Sequence, residues 1–299
     1  MRSRFVALTL IWGASFLFIK VGVEALAPLQ VAFGRMAFGA TVLLLWSAAR
    51  RERLPRGPRI WGHLAITAAL ANSIPFTLFA YAEEHVSSSL ASIGNATVPL
   101  FTLLFALLLL PSEYPTARRT VGLAVGFGGV LVVLGVWRGL TLGPDLAGML
   151  LILVAAACYG MSGVYMRRYL SETPYSSLAL SVGQLVIGAT ELAVVLPFFT
   201  HVPHHVPLRV FGAIFALGAF GTGIAYVLSY GLIRRAGATV ASMVTYFIPV
   251  VSIVIGVAGL GERLAWNAPV GAVIIILGAM LSRSPAPPRA VGPAIRARA

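Results

Sequence analysis

Charge is what this chain has least of. Only 10% of its 299 residues are charged and nine are acidic, against about 25% charged in a usual soluble domain. That leaves too little polar surface to cover a water-soluble fold. Disorder does not explain the shortage, because disordered chains are poor in apolar residues, whereas 59% of these residues are hydrophobic and the mean hydropathy is +0.91. Cysteine is nearly missing as well. Cys158 alone can make neither an intrachain disulfide nor a thiolate metal cage, which excludes disulfide-rich and zinc-ribbon classes and leaves the redox compartment unread. No G-x-x-x-x-G-K-[ST] loop occurs, so nucleotide-driven transport is not encoded in this chain. The formal net charge of +13 would suit nucleic acid only if it were clustered on one folded face. These cations instead punctuate apolar runs, so neither a nucleic-acid partner nor a cofactor is expected.

The apolar runs themselves are long. Crossing about 30 Å of hydrocarbon takes roughly 20 apolar residues as a helix. Ten such spans are predicted, at 5–23, 28–49, 60–81, 87–110, 117–136, 146–167, 174–198, 207–231, 236–260 and 265–282. The expected fold is therefore an all-α polytopic membrane protein. With the N-terminus inside, inside segments carry 17 of the 22 cations, and the outside connections hold only Arg138, Arg209 and Arg263. Positive residues concentrate on the cytoplasmic side of membrane proteins, so both termini are predicted to be cytoplasmic, in the cytoplasmic membrane.

Several motifs carry little. Arg2 and Arg4 before an apolar run, with Ala25-Leu26-Ala27 beyond it, resemble a secretory signal. Lys20 interrupts that run and nine more spans follow, so cleavage is not expected. Asn95-Ala96-Thr97 matches the glycosylation pattern but lies mid-span. His201, His204 and His205 cluster before span eight without a neighbouring Cys or carboxylate, so no metal is expected. Glu83-Glu84-His85 is the nearest approach to an acid/histidine constellation, and it reads as a short outer connection. Residues 283–299, rich in Pro, Ala and Arg, read as a disordered basic tail near anionic lipid.

Displacing the chain on itself by about 149 residues reveals an internal repeat. Arg35-Met36-Ala37-Phe38-Gly39-Ala40-Thr41 falls over Gln184-Leu185-Val186-Ile187-Gly188-Ala189-Thr190. Trp12-Gly13 matches Tyr159-Gly160, Tyr81 matches Tyr230, and Ala91-Ser92 matches Ala241-Ser242. Pro99 matches Pro249, Glu113 matches Glu262, and Val121-Gly122 matches Val270-Gly271. Composition bias between two apolar strings is the alternative explanation. The ordered matches divide the chain into units 5–136 and 146–282 of five spans each. An odd number of spans starts the second unit from the opposite face, so the two five-helix repeats are expected to be inverted. Inverted repeats are common in secondary transporters, which bind solute near the midplane between the halves.

On these residues the chain resembles the EamA family of the drug/metabolite transporter superfamily. The likeness rests on Trp12-Gly13-Ala14-Ser15-Phe16-Leu17-Phe18-Ile19-Lys20 with Pro28 and Arg35, and on the Pro99 and Pro249 spans, each followed by Glu and then Gly. It covers roughly residues 5–282. The resemblance implies a ten-helix bundle with termini inside, a central cavity, and usually export of small metabolites or drugs. It does not name a substrate. The second half departs from the pattern with Tyr159 for Trp12, Gly163 for Phe16 and Gln184 for Arg35, which makes the cavity chemically lopsided.

Ionisable residues within a span are costly and normally face a wet cavity or a partner. Lys20, Arg35 and Glu191 stand out. Trp12, Phe16 and Lys20, four apart, place indole, phenyl and ammonium on one helical face. That face suits a solute with aromatic or carboxylate parts, while snorkelling of Lys20 to headgroups is the alternative. Arg35 lies deeper and either contacts solute or bridges helix carbonyls. Glu191, seven residues after Gln184, is either protonated or paired with a cation. A carboxyl that titrates as the cavity opens is how a coupling proton would be carried, and a structural hydrogen bond is the other reading. Ser88, Ser92 and Asn95, and Thr239, Ser242 and Tyr246, form polar stripes at helical spacing. Pro99 and Pro249 are expected to bend their spans and free carbonyls there. Gly122 with Gly126, Ala156 with Gly160, and Ala219 with Gly223 are small-xxx-small pairs that read as packing. The expected function is a secondary carrier of a small organic solute, such as an amino acid, or of drugs, more often outward. A passive channel and a non-transporting membrane protein are the rivals. The oligomeric state is not readable.

Overall fold

The computed structural model describes residues 2–110, 114–138, 144–203, 205–229, 232 and 244–282. Among them all regular structure is helical. We number the long helices α1 Arg2–Gly22, α2 Pro28–Ala49, α3 Pro58–Glu83, α4 Ser88–Leu109, α5 Ala117–Leu134, α6 Pro144–Tyr169, α7 Ser177–Phe199, α8 Leu208–Ser229, α9 Val244–Leu260 and α10 Asn267–Leu281. Eight have the length and apolarity of a membrane span, and α9 and α10 are shorter apolar helices.

Local chemistry sets the ends. Pro28 and Pro58 occupy the first turns of α2 and α3, where a missing N–H costs nothing. Ser87, Thr116 and Ser176 accept hydrogen bonds from Leu90, Arg119 and Ala179 and so cap α4, α5 and α7. Gly135 ends α5 in the left-handed region at φ 62°. Three helices are irregular. The third and eighth contain π turns at Ala69–Ser73 and Ala219–Ile224, and α4 is interrupted between Asn95 and Val98, just ahead of Pro99. Bulky apolar side chains such as Leu45, Phe198, Phe199 and Val273 point outward. That outer surface suits hydrocarbon.

The packing repeats itself under exchange of each helix with the one five places on. The α1–α9 contact corresponds to α6–α4, α1–α8 to α6–α3, and α2–α8 to α7–α3. The pairs α2–α7 and α5–α10 map onto themselves. Equivalent residues carry equivalent contacts. A side chain added at Gly13 would meet Val251, and one added at Gly160 would meet Phe101 and Thr102. Likewise Gly39 abuts Thr222 as Gly188 abuts Ser73.

Helix direction confirms the inversion. The first helix runs beside α3 in the same sense, with Phe16 against Phe79 and Lys20 against Glu83. By contrast α6 runs against α3, with Tyr159 beside Phe79 and Tyr165 beside His63. The equivalent helices α1 and α6 are therefore antiparallel. The α5–α10 pair is also antiparallel and very close: Gly122 faces Ser282, Gly126 faces Gly278, and Gly129 faces Gly271 and Ile275.

Candidate solute cavity

Between the halves lies a cavity of about 330 Å³, near the small end of the range of about 300–1,000 Å³ for small-molecule sites. Helices of both halves build it. The first contributes Trp12, Ser15, Phe16 and Ile19, α2 contributes Arg35, and α3 contributes Ala71, Phe76 and Phe79. Asn95 and Val98 come from α4, Tyr159 from α6, Tyr226 from α8, and Thr245 and Ile248 from α9. Six of these side chains are aromatic and one, Arg35, is charged.

The π turn of α8 positions Arg35. Thr222 lies in that turn, where its hydroxyl donates to Leu217 O at 3.4 Å and accepts from Arg35 Nε at 3.0 Å. The guanidinium carbon sits 3.7 Å from the centre of the Phe76 ring, a cation–π arrangement that holds the group flat against one wall. A guanidinium has five N–H donors, and the Thr222 bond uses one. Two prolines follow residues of this lining by one turn. Pro99 and Pro249 have no N–H to offer the carbonyls four residues earlier, and those residues, Asn95 and Thr245, both line the cavity.

The equivalent layer of the second half is built differently. Gln184, at the position matching Arg35, is buried and donates to Asn72 Oδ1, and Asn72 donates in turn to the Tyr226 hydroxyl at 3.2 Å. Ser73, matching Thr222, donates to Glu191 at 2.6 Å. The structure thus brings Trp12, Phe16, Arg35, Asn95 and Tyr159 to the cavity wall. Gln184 lies behind Asn72 and Tyr226. Ser92 is buried with its hydroxyl on Ser89 O, and Tyr246 is buried in the core. Glu191 is half-buried on α7 against Ser73. Lys20 lies outside the cavity, with Nζ on the carbonyl oxygens of Glu83 and Val86. Thr239, Ser242, Tyr230, Glu113, His204 and residues 283–299 lie outside the described residues.

Sequence reasoning did not find Phe76, Phe79 or Asn72. Phe76 and Phe79 follow the π turn and Asn72 lies within it, and such a turn changes which side chains share a face. Glu262 is a tether between the halves: its carboxylate takes the backbone N–H and hydroxyl of both Ser88 and Ser89.

A helical bundle of two inverted halves around a shared aromatic cavity, apolar on its outside, is an architecture found among multi-pass membrane transporters. The EamA-like transporter family model matches residues 4–135 and again 146–284; the chain belongs to that family. An uncharacterized inner membrane transporter of Escherichia coli K12, YedA, is 30% identical over 278 residues, 90% of this chain and 88% of its own. An uncharacterized transporter of Bacillus subtilis 168, YoaV, is 26% identical over 280 residues, 93% of this chain and 94% of its own. One solved crystal structure superposes with a TM-score of 0.65 at 21% identity, covering 93% of this chain and 94% of its own, which shows the shared fold.

Proposed function

We propose that this chain is a secondary carrier that moves small organic acids or zwitterions with an apolar or aromatic part, amino acids foremost, by alternating access. It has no catalytic role in this reading. One observation carries it: Arg35 is the charged residue of a cavity otherwise walled by six aromatic rings and a few small polar groups. The free guanidinium donors suit a carboxylate, since arginine recognises planar oxyanions in a fork. Trp12, Phe16, Phe79 and Tyr159 supply flat apolar walls for the rest of the solute. The charge argument rests on Arg35 alone, because Lys20 and Glu191 lie off the cavity. Export, with both termini cytoplasmic, is carried over from the family resemblance and from the distribution of cations.

The test is counterflow of labelled phenylalanine in proteoliposomes loaded with unlabelled phenylalanine. The expected result is transient accumulation that depends on the internal solute, lost in Arg35→Ala. Flux indifferent to the opposing solute would favour a channel, and no flux with any of the amino acids would overturn the substrate class.

A further inference from the structure

One buried acid is not used by the solute cavity. Glu83 ends α3, has no exposed surface, and receives no hydrogen bond at either carboxyl oxygen among the described residues. As an anion it would carry a desolvation cost that nothing bonded to it offsets. Its neighbours are few and specific. From α1 comes Lys20, the only lysine among 22 cationic residues, with Nζ on the backbone oxygens of Glu83 itself and of Val86. From the α9–α10 connection comes Glu262, whose carboxylate is held by Ser88 and Ser89, and from α2 comes Arg35 on the cavity side. From α6, uncharged Gly148 packs against Ala82 and Val86. Glu84 and His85, next along the chain, are exposed.

Its position relative to the cavity gives the group a purpose. Phe79 precedes Glu83 by one turn on α3, and Phe16 precedes Lys20 by one turn on α1. The two rings meet edge to face, 5.7 Å apart at 72°, and both line the cavity. Lys20 and Glu83 therefore stand one helical turn, about 5.4 Å, behind an aromatic partition.

We propose that Glu83 is a proton-binding site linked to this partition: its carboxyl holds a proton while Phe16 and Phe79 are in contact, and releases it when α1 parts from α3. Parting admits water, the O–H bond breaks, and the proton leaves to that water. The ammonium of Lys20, already on Glu83's own carbonyl, then takes the carboxylate after a side-chain rotation. The inference rests on the alternating-access reading, since a proton bound in one conformation and not the other lets a proton gradient bias which end opens.

The test needs no solute. In a Cys158→Ser background, Val98→Cys reports access to the cavity by a membrane-impermeant thiol reagent. Vesicles are chosen in which Ala25→Cys of the α1–α2 connection is labelled and Arg53→Cys of the α2–α3 connection is not. Labelling is normalised to Ala25→Cys to remove the intrinsic pH dependence of thiols. With Glu83 present, labelling is expected to rise with pH by up to about tenfold per pH unit, the limit for one released proton. Glu83→Gln is expected to give low labelling at every pH, and Glu83→Asp to retain the response. Lys20→Gln, which removes the partner of the released charge, is expected to demand a higher pH for equal labelling, and it serves if Glu83→Gln does not accumulate. Labelling indifferent to pH in the parent, or a full response in Glu83→Gln, overturns the proposal. Failure here leaves the solute reading standing, and failure of phenylalanine counterflow leaves this result readable.

Discussion

Removing the Glu262 carboxylate is expected to loosen the contact between the two halves by a measurable amount. Its oxygens accept from Ser88 N at 2.7 Å, Ser88 Oγ at 2.7 Å, Ser89 N at 3.1 Å and Ser89 Oγ at 2.5 Å. The two N–H groups belong to the first turn of α4, where no intrahelical acceptor exists and the helix dipole is positive. A hydrogen bond to a charged group contributes about 1.5–3 kcal/mol. The hydroxyls can turn to other acceptors, so only the two backbone donors are counted in full. Glu262 is half-buried, and solvent screening brings the expectation for Glu262→Ala to about 3 kcal/mol. At about 2–4 °C per kcal/mol for a large domain, that is roughly a 10 °C fall in Tm. Glu262→Gln keeps one acceptor oxygen, enough for Ser88, but turns an NH2 group on Ser89, so about half the loss is expected. The assay is the fraction of monodisperse protein surviving a temperature series in detergent. A Glu262→Ala protein that melts with the parent refutes the reasoning, as does a Glu262→Gln protein that falls equally far.

Adjacent glycines of α5 should respond oppositely. A Cβ at Gly129 would sit 2.8 Å from the Ile275 backbone nitrogen, whereas one at Gly128 meets nothing within 4 Å. Gly129→Ala should therefore lower the yield of folded protein in membranes, and Gly128→Ala should match the parent or gain about 0.5–1 kcal/mol of helix propensity in the same melting series. Arg35→Lys should lose most phenylalanine counterflow along with Arg35→Ala, because an ammonium cannot both hold Thr222 and present a fork to a carboxylate. Full activity in Arg35→Lys would show that charge alone suffices. Glu191→Gln should leave the pH response of cavity labelling intact, since its partner Ser73 can bond an amide as well as an acid. Loss of that response would move the proton from Glu83 to Glu191.

Much of the fold was legible because the bilayer imposes it. Apolar runs of fixed length mark the helices, and the matched Pro99 and Pro249, Gly13 and Gly160 mark the duplication. The site was only partly legible. Trp12, Phe16 and Arg35 obey plain helical spacing within α1 and α2, so they could be placed together. The residues after the π turns could not, because an extra residue per turn shifts the face of everything downstream. Glu83 was hidden for another reason. Beside Glu84 and His85 it reads as connection, yet α3 continues two residues beyond the predicted span 60–81 and carries the first acid of that triplet inside. Lys20 likewise presented two readings in sequence, headgroup or cavity, and took a third, the carbonyl end of a neighbouring helix.

Perfect inversion would make inward-facing and outward-facing shapes two-fold-related partners of equal energy, populated half and half without any ligand. The scaffold of this chain approaches that condition, down to the notch that Gly13 and Gly160 each provide. Its polar layer does not. Arg35 with Thr222 on one side is answered by Gln184 with Asn72 on the other, so under the alternating-access proposal a handful of side chains would set the resting preference between the two shapes, and swapping them between halves would be a route to reversing it.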